Sequence, residues 1–241
     1  MRRYFYDLHL HSCLSACADN DNSPANLAGM AKLSGLDIVA LTDHNTTANC
    51  PAFFKACEEL EIVAVGGMEL TTSEDIHVVC LFPTLEAAMA FGEEMDAHRT
   101  KIPNKKHIFG DQLIMNEDDE VIGEDPYLLS VATDVSLEDV PDFVARHGGV
   151  CYPAHIDRQS NSVITTLGTF PPTPEFSLFE LHDGQKEDEM RERYELGGKK
   201  MICSSDAHRL EDVRDGEYSI LLEDGLTTPQ QVRDALFRAL R

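Results

Sequence analysis

Residues 6–21 read YDLHLHSCLSACADND, and the reading of this stretch decides the fold. Asp7, His9 and His11 alternate with apolar Leu8 and Leu10, the period of a strand, so the pattern places the three ionisable side chains on one face. Such a face is costly in a core unless a charge or hydrogen bond compensates for it. The strand therefore calls for a partner, and the acidic tail Asp19-Asn20-Asp21 is one place to seek it.

Outward from this stretch, strand and helix signals alternate. Ser23 and Pro24 read as an N-cap and first helical residue, leading a helix that runs to Gly35. DIVALTDH (37–44) reads as a short buried strand, and PAFFKACEELE (51–61) as a helix with Phe53, Phe54, Cys57 and Leu60 at helical spacing. IVAV, IHVVCLF, VCYPAH, LFEL, KMICSSD and EYSILL follow as strands. TLEAAMAFGEEMDAH, SLEDVPDFVARHG and TPQQVRDALFRALR follow as helices. This order predicts an α/β fold of parallel strands joined by helices, either a barrel or an open sheet. Residues 99–134 break the rhythm: QLIMNEDDEVIG reads as a hairpin within an insertion over one rim. With 241 residues and no repeat or linker, a single domain is expected.

The chain carries 43 acidic and 20 basic residues, a net charge of −23. That balance argues against a non-specific nucleic-acid surface and makes nucleic acid an unexpected partner. Seven cysteines without a CxxC pair, and no transmembrane-length apolar run or signal segment, predict a cytoplasmic protein with free thiols and no membrane partner. The cysteines read as small buried hydrophobes, with Cys13 and Cys17 near the candidate site but outside its ligand pattern.

The chemistry lies at the strand ends. His9 and His11 close the first strand, Asp43 and His44 follow DIVALT, and Glu69 follows IVAVGGM. His77 opens IHVVCLF, His155 follows VCYPA, and Asp206 and His208 follow MICSS. The C-terminal rim of an α/β sheet is where loops converge to form sites. Histidine with carboxylate, without paired cysteines, suits zinc, manganese or iron at nitrogen and oxygen ligands. Each motif alone has a plainer explanation: TDHN as a turn and helix cap, Glu69 as a solvated loop residue, SSDAH as another cap. Their joint recurrence at separate strand ends is what points to metal.

The series DLHLHS, LTDHN, GMEL, IHVV, PAHID and SSDAH resembles, in order and over residues 7–208, the PHP (polymerase and histidinol phosphatase) family of metal-dependent phosphoesterases. The resemblance implies a distorted (β/α)7 barrel with two or three ions at the C-terminal ends of the strands. By motif, His9, His11, Glu69 and Asp206 would hold one ion. Glu69, His77 and His155 would hold a second, and Asp19, His44 and His208 a third. Family members that read HSxxSDGxxTP place the aspartate four residues before the threonine. Counting back from Ser23-Pro24 gives Asp19, but the loop is longer and DND replaces DG, which leaves Asp21 as a rival.

Asp7 and Asp43 are expected to orient ligating histidines. Arg158 is a candidate for binding substrate phosphate, against a plain rim salt bridge. His182 is a candidate proton donor to the leaving group, against a core histidine. His98, His107 and His147 receive no role. Three ions against the three carboxylates leave the site at about +3 within an acidic protein, which favours a small phosphorylated substrate. The expected activity is hydrolysis of a small phosphate ester, such as histidinol phosphate or a nucleotide, by ion-activated water attacking phosphorus in line. A nuclease acting on nucleic-acid ends and a non-catalytic metal-binding regulatory domain are the alternatives.

Overall fold

The computed structural model describes residues 1–241. The first half contains β1 (Arg2–Leu10), α1 (Pro24–Leu33), β2 (Ile38–Leu41), α2 (Cys50–Glu59), β3 (Val63–Thr71), β4 (His77–Phe82), α3 (Leu85–Asp96) and α4 (Lys106–Phe109). Next come β5 (Leu113–Met115), β6 (Val121–Glu124), α5 (Val140–Arg146), β7 (Val150–Pro153) and α6 (Val163–Leu167). The chain ends with β8 (Leu178–Leu181), α7 (Glu187–Arg193), β9 (Lys200–Cys203), β10 (Ser219–Leu222) and α8 (Pro229–Leu240). No helix is long and apolar enough to cross a membrane.

Six strands form one sheet in the order β10-β1-β2-β3-β4-β7, and β8 and β9 form a parallel pair. That pair bridges β7 to the C-terminal end of β1. Ile156 N, just past β7, donates to Glu180 O on β8, and His11 N, just past β1, donates to Ala207 O beyond β9. The wall therefore curls like a barrel, but its strands are not uniformly parallel. β1–β2, β2–β3 and β8–β9 run parallel, whereas β10–β1, β3–β4 and β4–β7 run antiparallel. One cause is local: β3 and β4 are joined by residues 72–76 alone, too few for a parallel crossover.

A second departure lies in the opening stretch. The β1–β2 register runs Tyr6↔Ile38, Asp7↔Val39 and then Leu10↔Leu41, so β1 carries one extra residue, a bulge, between Asp7 and Leu10. Tyr6 and Leu8 pack with Ile38 and Ala40, while Phe5 and Leu10 pack with Val39 and Leu41 on the other face. Alternation is thus reset between Leu8 and Leu10. Asp7 falls on the Val39 side and does not share the face of His9 and His11, contrary to the period-two expectation.

Three cores hold the wall. Tyr6, Leu8, Val65, Tyr152 and Ile202 line its inside, closed at one end by Val232, Leu236 and Phe237 of α8. Helix α8 begins with a capping box between Thr228 and Gln231. Outside, Leu27 and Ala31 of α1 and Phe53 and Cys57 of α2 cover β1–β3. Phe91 of α3, Val144 of α5 and Met190 of α7 cover the β4–β8 side. Ser23 caps α1 by accepting from Asn26 N, as its position before Pro24 predicts.

The hairpin expected in QLIMNEDDEVIG forms as β5–β6. It packs on the loop that follows His11: Leu113 N donates to Cys13 O at 2.9 Å. Asn49 ties the two together, donating to Ser12 Oγ and Leu113 O and accepting from Met115 N. At Gly110, φ is +103° and an added Cβ would lie 2.4 Å from Ala16 O, so only glycine permits this approach.

Candidate metal centre

The bulge in β1 sends both His9 and His11 inward, where β3 supplies Glu69 and the loop after β9 supplies Asp206. His9 Nε2 lies 3.1 Å from His11 Nε2, 3.2 Å from Glu69 Oε1 and 3.4 Å from Asp206 Oδ1. His11 Nε2 lies 3.3 Å from Glu69 Oε2 and 3.2 Å from Asp206 Oδ1. Ligands about 2.0–2.1 Å from a zinc ion stand roughly 3.3 Å apart at the corners of a tetrahedron. The four side chains already have that spacing, and all are buried. Asp206 Oδ1 has no hydrogen-bond partner, although two imidazole nitrogens stand beside it. A buried carboxylate oxygen left in this way fits a cation as its partner. The donor set therefore suits a divalent ion.

Two further groups share these residues. His44, Glu69 and His77 converge, with His77 Nδ1 at 2.9 Å from Glu69 Oε1 and His44 Nδ1 at 3.0 Å from Glu69 Oε2. His155 Nε2 reaches Glu69 Oε1 at 3.0 Å. The nitrogens of His11, His44 and His208 form the third group. Despite its short distance to Glu69, His44 Nδ1 lacks hydrogen-bond geometry to any partner. His155 and Asp206 hold left-handed backbones, φ +27° and +53°, which is strain of the kind that collects at functional sites.

Tautomers are fixed from behind. Glu180 Oε2 lies 2.9 Å from His9 Nδ1 and also accepts from His155 N. Ser15 Oγ donates to Asp43 and accepts from His44 N, so its remaining lone pair takes the proton of His11 Nδ1 at 3.0 Å. Both rings thereby keep Nε2 free for the cluster. Asp43 reaches the ring of His11 only through Ser15, whose hydroxyl donates to it. Asp7 instead holds main chain, accepting from His9 N and Ser205 N. Glu180 was not expected at all. Its signal is the charge in LFEL, at the inward position paired with Ile202 of an apolar strand.

The charges couple strongly. Burial lowers the His9 pKa, but Glu180, Glu69 and Asp206 outweigh it and hold the ring well above its ordinary value. His44 is raised in the same way, chiefly by Glu69. Burial would raise Glu69, yet His77, His9 and His44 pull it well below the carboxylate range. Asp206 is lowered too, with burial opposed by His9 and His11.

Among the expected residues, Asp19 stays outside. It is exposed, and its Oδ1 accepts from Asp21 N. Asp21 is exposed as well. Cys17 is exposed too, and its titration responds to the rings of His208 and His44. Burial pushes this thiol up, and those two rings pull it down to about 5. Arg158 pairs with Asp206 Oδ2 and donates to the ring of His182. Arg214 donates to His182 O and also reaches its ring, so the imidazole is held between two guanidinium groups. Burial, then Arg158 and Arg214, lower its pKa.

A cleft of about 170 Å³ opens over the cluster, lined by His77, His155, Arg158, Ser160, Asn161 and His208 among others, with no apolar side chain. A larger groove of about 480 Å³ between α2 and α8, lined by Phe54, Leu85 and Arg233, contains none of the clustered ligands.

Known proteins share parts of this design. A 5′-3′ exoribonuclease of Haemophilus influenzae is 37% identical over 79 residues, 32% of this chain and 28% of that protein. An uncharacterized protein of Methanocaldococcus jannaschii is 33% identical over 84 residues, 32% of this chain and 48% of the other. The chain thus spans less than half the length of these curated relatives. The lesion-specific endonuclease PfuEndoQ of Pyrococcus furiosus has a similar fold, with TM-score 0.64 and 18% identity over 98% of this chain and 56% of its own. A Bifidobacterium adolescentis protein assigned as a metal-dependent phosphoesterase aligns at TM-score 0.55 and 21% identity, over 97% and 96% of the two chains. The PHP domain profile matches residues 7–127, half of the sequence and four of the candidate ligand motifs, so the chain belongs to the PHP domain family.

Proposed function

We propose that this chain binds two or three divalent ions in the histidine–carboxylate cluster and hydrolyses phosphoesters presented in the cleft above it. The observation that carries this reading is the ligand-like spacing of His9, His11, Glu69 and Asp206. A metal-dependent ester hydrolase is the class that family membership carries. When bound, such ions supply Lewis-acid charge at phosphorus and bring the pKa of water toward neutrality.

In this reading the first ion lies among those four residues. Glu69 reaches a second with His77 and His155, and His44 stands close enough to join it. His44 and His208 belong to a third position. Glu180 and Ser15 hold the rings of His9 and His11 in the ligating tautomer. Arg158 lines the cleft, and its planar fork suits a phosphate oxygen once an ion takes over Asp206. His182 is a proton donor candidate only from the side of Arg158, because it does not line the cleft.

The small polar cleft suits a phosphate group and offers no apolar wall to a base. With the net charge of −23, this favours a small phosphate ester. The exoribonuclease relative supports a second reading, cleavage at nucleic-acid ends. A structure of similar fold is endonuclease Q in complex with a 27-mer duplex, TM-score 0.62. Acidic composition alone therefore does not exclude nucleic acid as a partner. The test is a panel of phosphorylated metabolites and 5′-phosphorylated oligoribonucleotides, assayed with manganese or zinc beside His9→Ala. Phosphate release from small esters, lost in the variant, supports the first reading. Faster release of mononucleotides supports the second. Tight metal binding with no hydrolysis of either would reduce the chain to a binding domain.

A further inference from the structure

A histidine just past β8 reads from sequence as a proton donor to the leaving group, and the surroundings of His182 suit a different task. The residue does not line the cleft. Its main chain is pinned on both sides. Asp157 accepts from His182 N at 2.8 Å and from Asp183 N at 3.1 Å, and Arg214 donates to His182 O at 2.6 Å. The Asp157 carboxylate is buried and paired with Lys186, so this anchor is itself fixed.

The ring is held as firmly. Arg158 Nη2 lies 3.0 Å from His182 Nδ1 and 3.3 Å from Nε2, and Arg214 Nη2 lies 3.4 and 3.5 Å from the same two atoms. Near-equal distances to two nitrogens that point different ways put each guanidinium against the ring as a whole, the stacking arginine makes on planar rings. Two fixed cations beside the imidazole disfavour a third charge there, so the ring lacks the acidic proton a donor needs.

Of these three side chains only Arg158 lines the cleft, and its Nη1 pairs with Asp206 Oδ2. Asp206 is also one of the four clustered ligands. An ion in that cluster draws on the same carboxylate, and His182 is then the side chain left to hold the guanidinium over the cleft. An arginine already held in place loses less rotamer freedom when it meets an anion.

We propose that His182 is a positioning residue, a ring fixed by Asp157 and Arg214 that stacks on Arg158 and aims its guanidinium at the substrate phosphate. The proposal rests on the phosphoester-hydrolase reading above and gives His182 no proton to transfer.

The test uses the manganese-loaded full chain. Inorganic phosphate is titrated by calorimetry, and hydrolysis of 4-nitrophenyl phosphate and glycerol 3-phosphate is followed across pH. The first ester has a leaving group that departs without a proton, and the second has one that needs it. His182→Ala should weaken phosphate binding and raise KM for both esters roughly 3- to 30-fold, with the effect in KM rather than kcat and the pH profile keeping its shape. Arg214→Met should act in the same direction, with circular dichroism checking the fold of each variant. In an Arg158→Ala background, which lacks the group being aimed, neither change should have a further effect. A kcat loss in His182→Ala confined to glycerol 3-phosphate makes the ring the proton donor and overturns the proposal. So do unchanged phosphate affinity in both variants and equal effects with and without Arg158. A wild type that neither binds phosphate nor cleaves either ester overturns the hydrolase reading instead, a result distinct from these.

Discussion

Glu180 lies 2.9 Å from His9 Nδ1, on the edge of the ring opposite the nitrogen that faces Glu69 and Asp206. A carboxylate there takes the Nδ1 proton and leaves Nε2 as the ligand, as outer carboxylates do for metal-bound histidines. Glu180→Gln should weaken binding of the first ion about 10- to 100-fold. Competition with a fluorescent chelator measures this, with circular dichroism checking the fold. Unchanged affinity would remove Glu180 from the positioning role.

Asp43 accepts three hydrogen bonds in a buried setting, from Ser12 N, Ser12 Oγ and Ser15 Oγ, each at 2.7 Å. An asparagine presents an amide donor where one of those donors points. Asp43→Asn should therefore cost about 1–3 kcal/mol, the scale of a buried group left unsatisfied. Urea unfolding of the metal-free chain gives the number. Ser15→Ala should cost less stability but release the tautomer of His11, so its larger effect should be on metal affinity.

Gly67 sits where β3 passes closest to its neighbours. An added Cβ would lie 2.6 Å from Cys80 O and 2.9 Å from both Leu81 and Thr42 side chains. The carbonyl belongs to the β3–β4 pairing and cannot step aside. Gly67→Ala should lower stability by about 1–3 kcal/mol, the range for overpacking a filled core. A shift in denaturant midpoint at constant slope would report it. No shift would mean that the strand relaxes here.

The histidine motifs were legible because histidines and carboxylates at strand ends interrupt an otherwise apolar pattern, and Glu69, His77, His155, Asp206 and His208 do converge. The helices with clear caps, α1 and α8, were legible for a local reason: Ser23 and Thr228 bond within their own turn. Other features depend on neighbours distant in sequence. The bulge at Leu8–His9 is a pairing choice between β1 and β2, and no residue in LHL announces it. The antiparallel β4–β7 pairing is likewise set across a long insertion. Asp19 lies on the loop after His11, and only the folded turn decides that its main chain rather than its carboxylate meets His208.

The raised pKa values of His9 and His44 make metal binding a proton exchange. Their carboxylate neighbours hold these rings protonated in the metal-free protein at pH values where a free imidazole, near 6.5, has lost its proton. A ligating imidazole must be neutral, so each ion that enters displaces protons, and affinity rises with pH until the raised values are passed. Stability of the metal-free form follows the opposite course on the alkaline side. The contribution of a raised histidine is complete below its unfolded value and is lost as pH climbs through the folded one. Glu69 and Asp206, both lowered, contribute above the ordinary carboxylate range and lose that contribution as pH falls through their depressed values. The metal-free chain should therefore melt highest at intermediate pH, and zinc should move that optimum upward. Calorimetric titration of zinc in two buffers of different ionisation enthalpy counts the protons. Release at neutral pH that shrinks toward zero as pH rises is the expected result, and no release at neutral pH would show that the rings are already neutral.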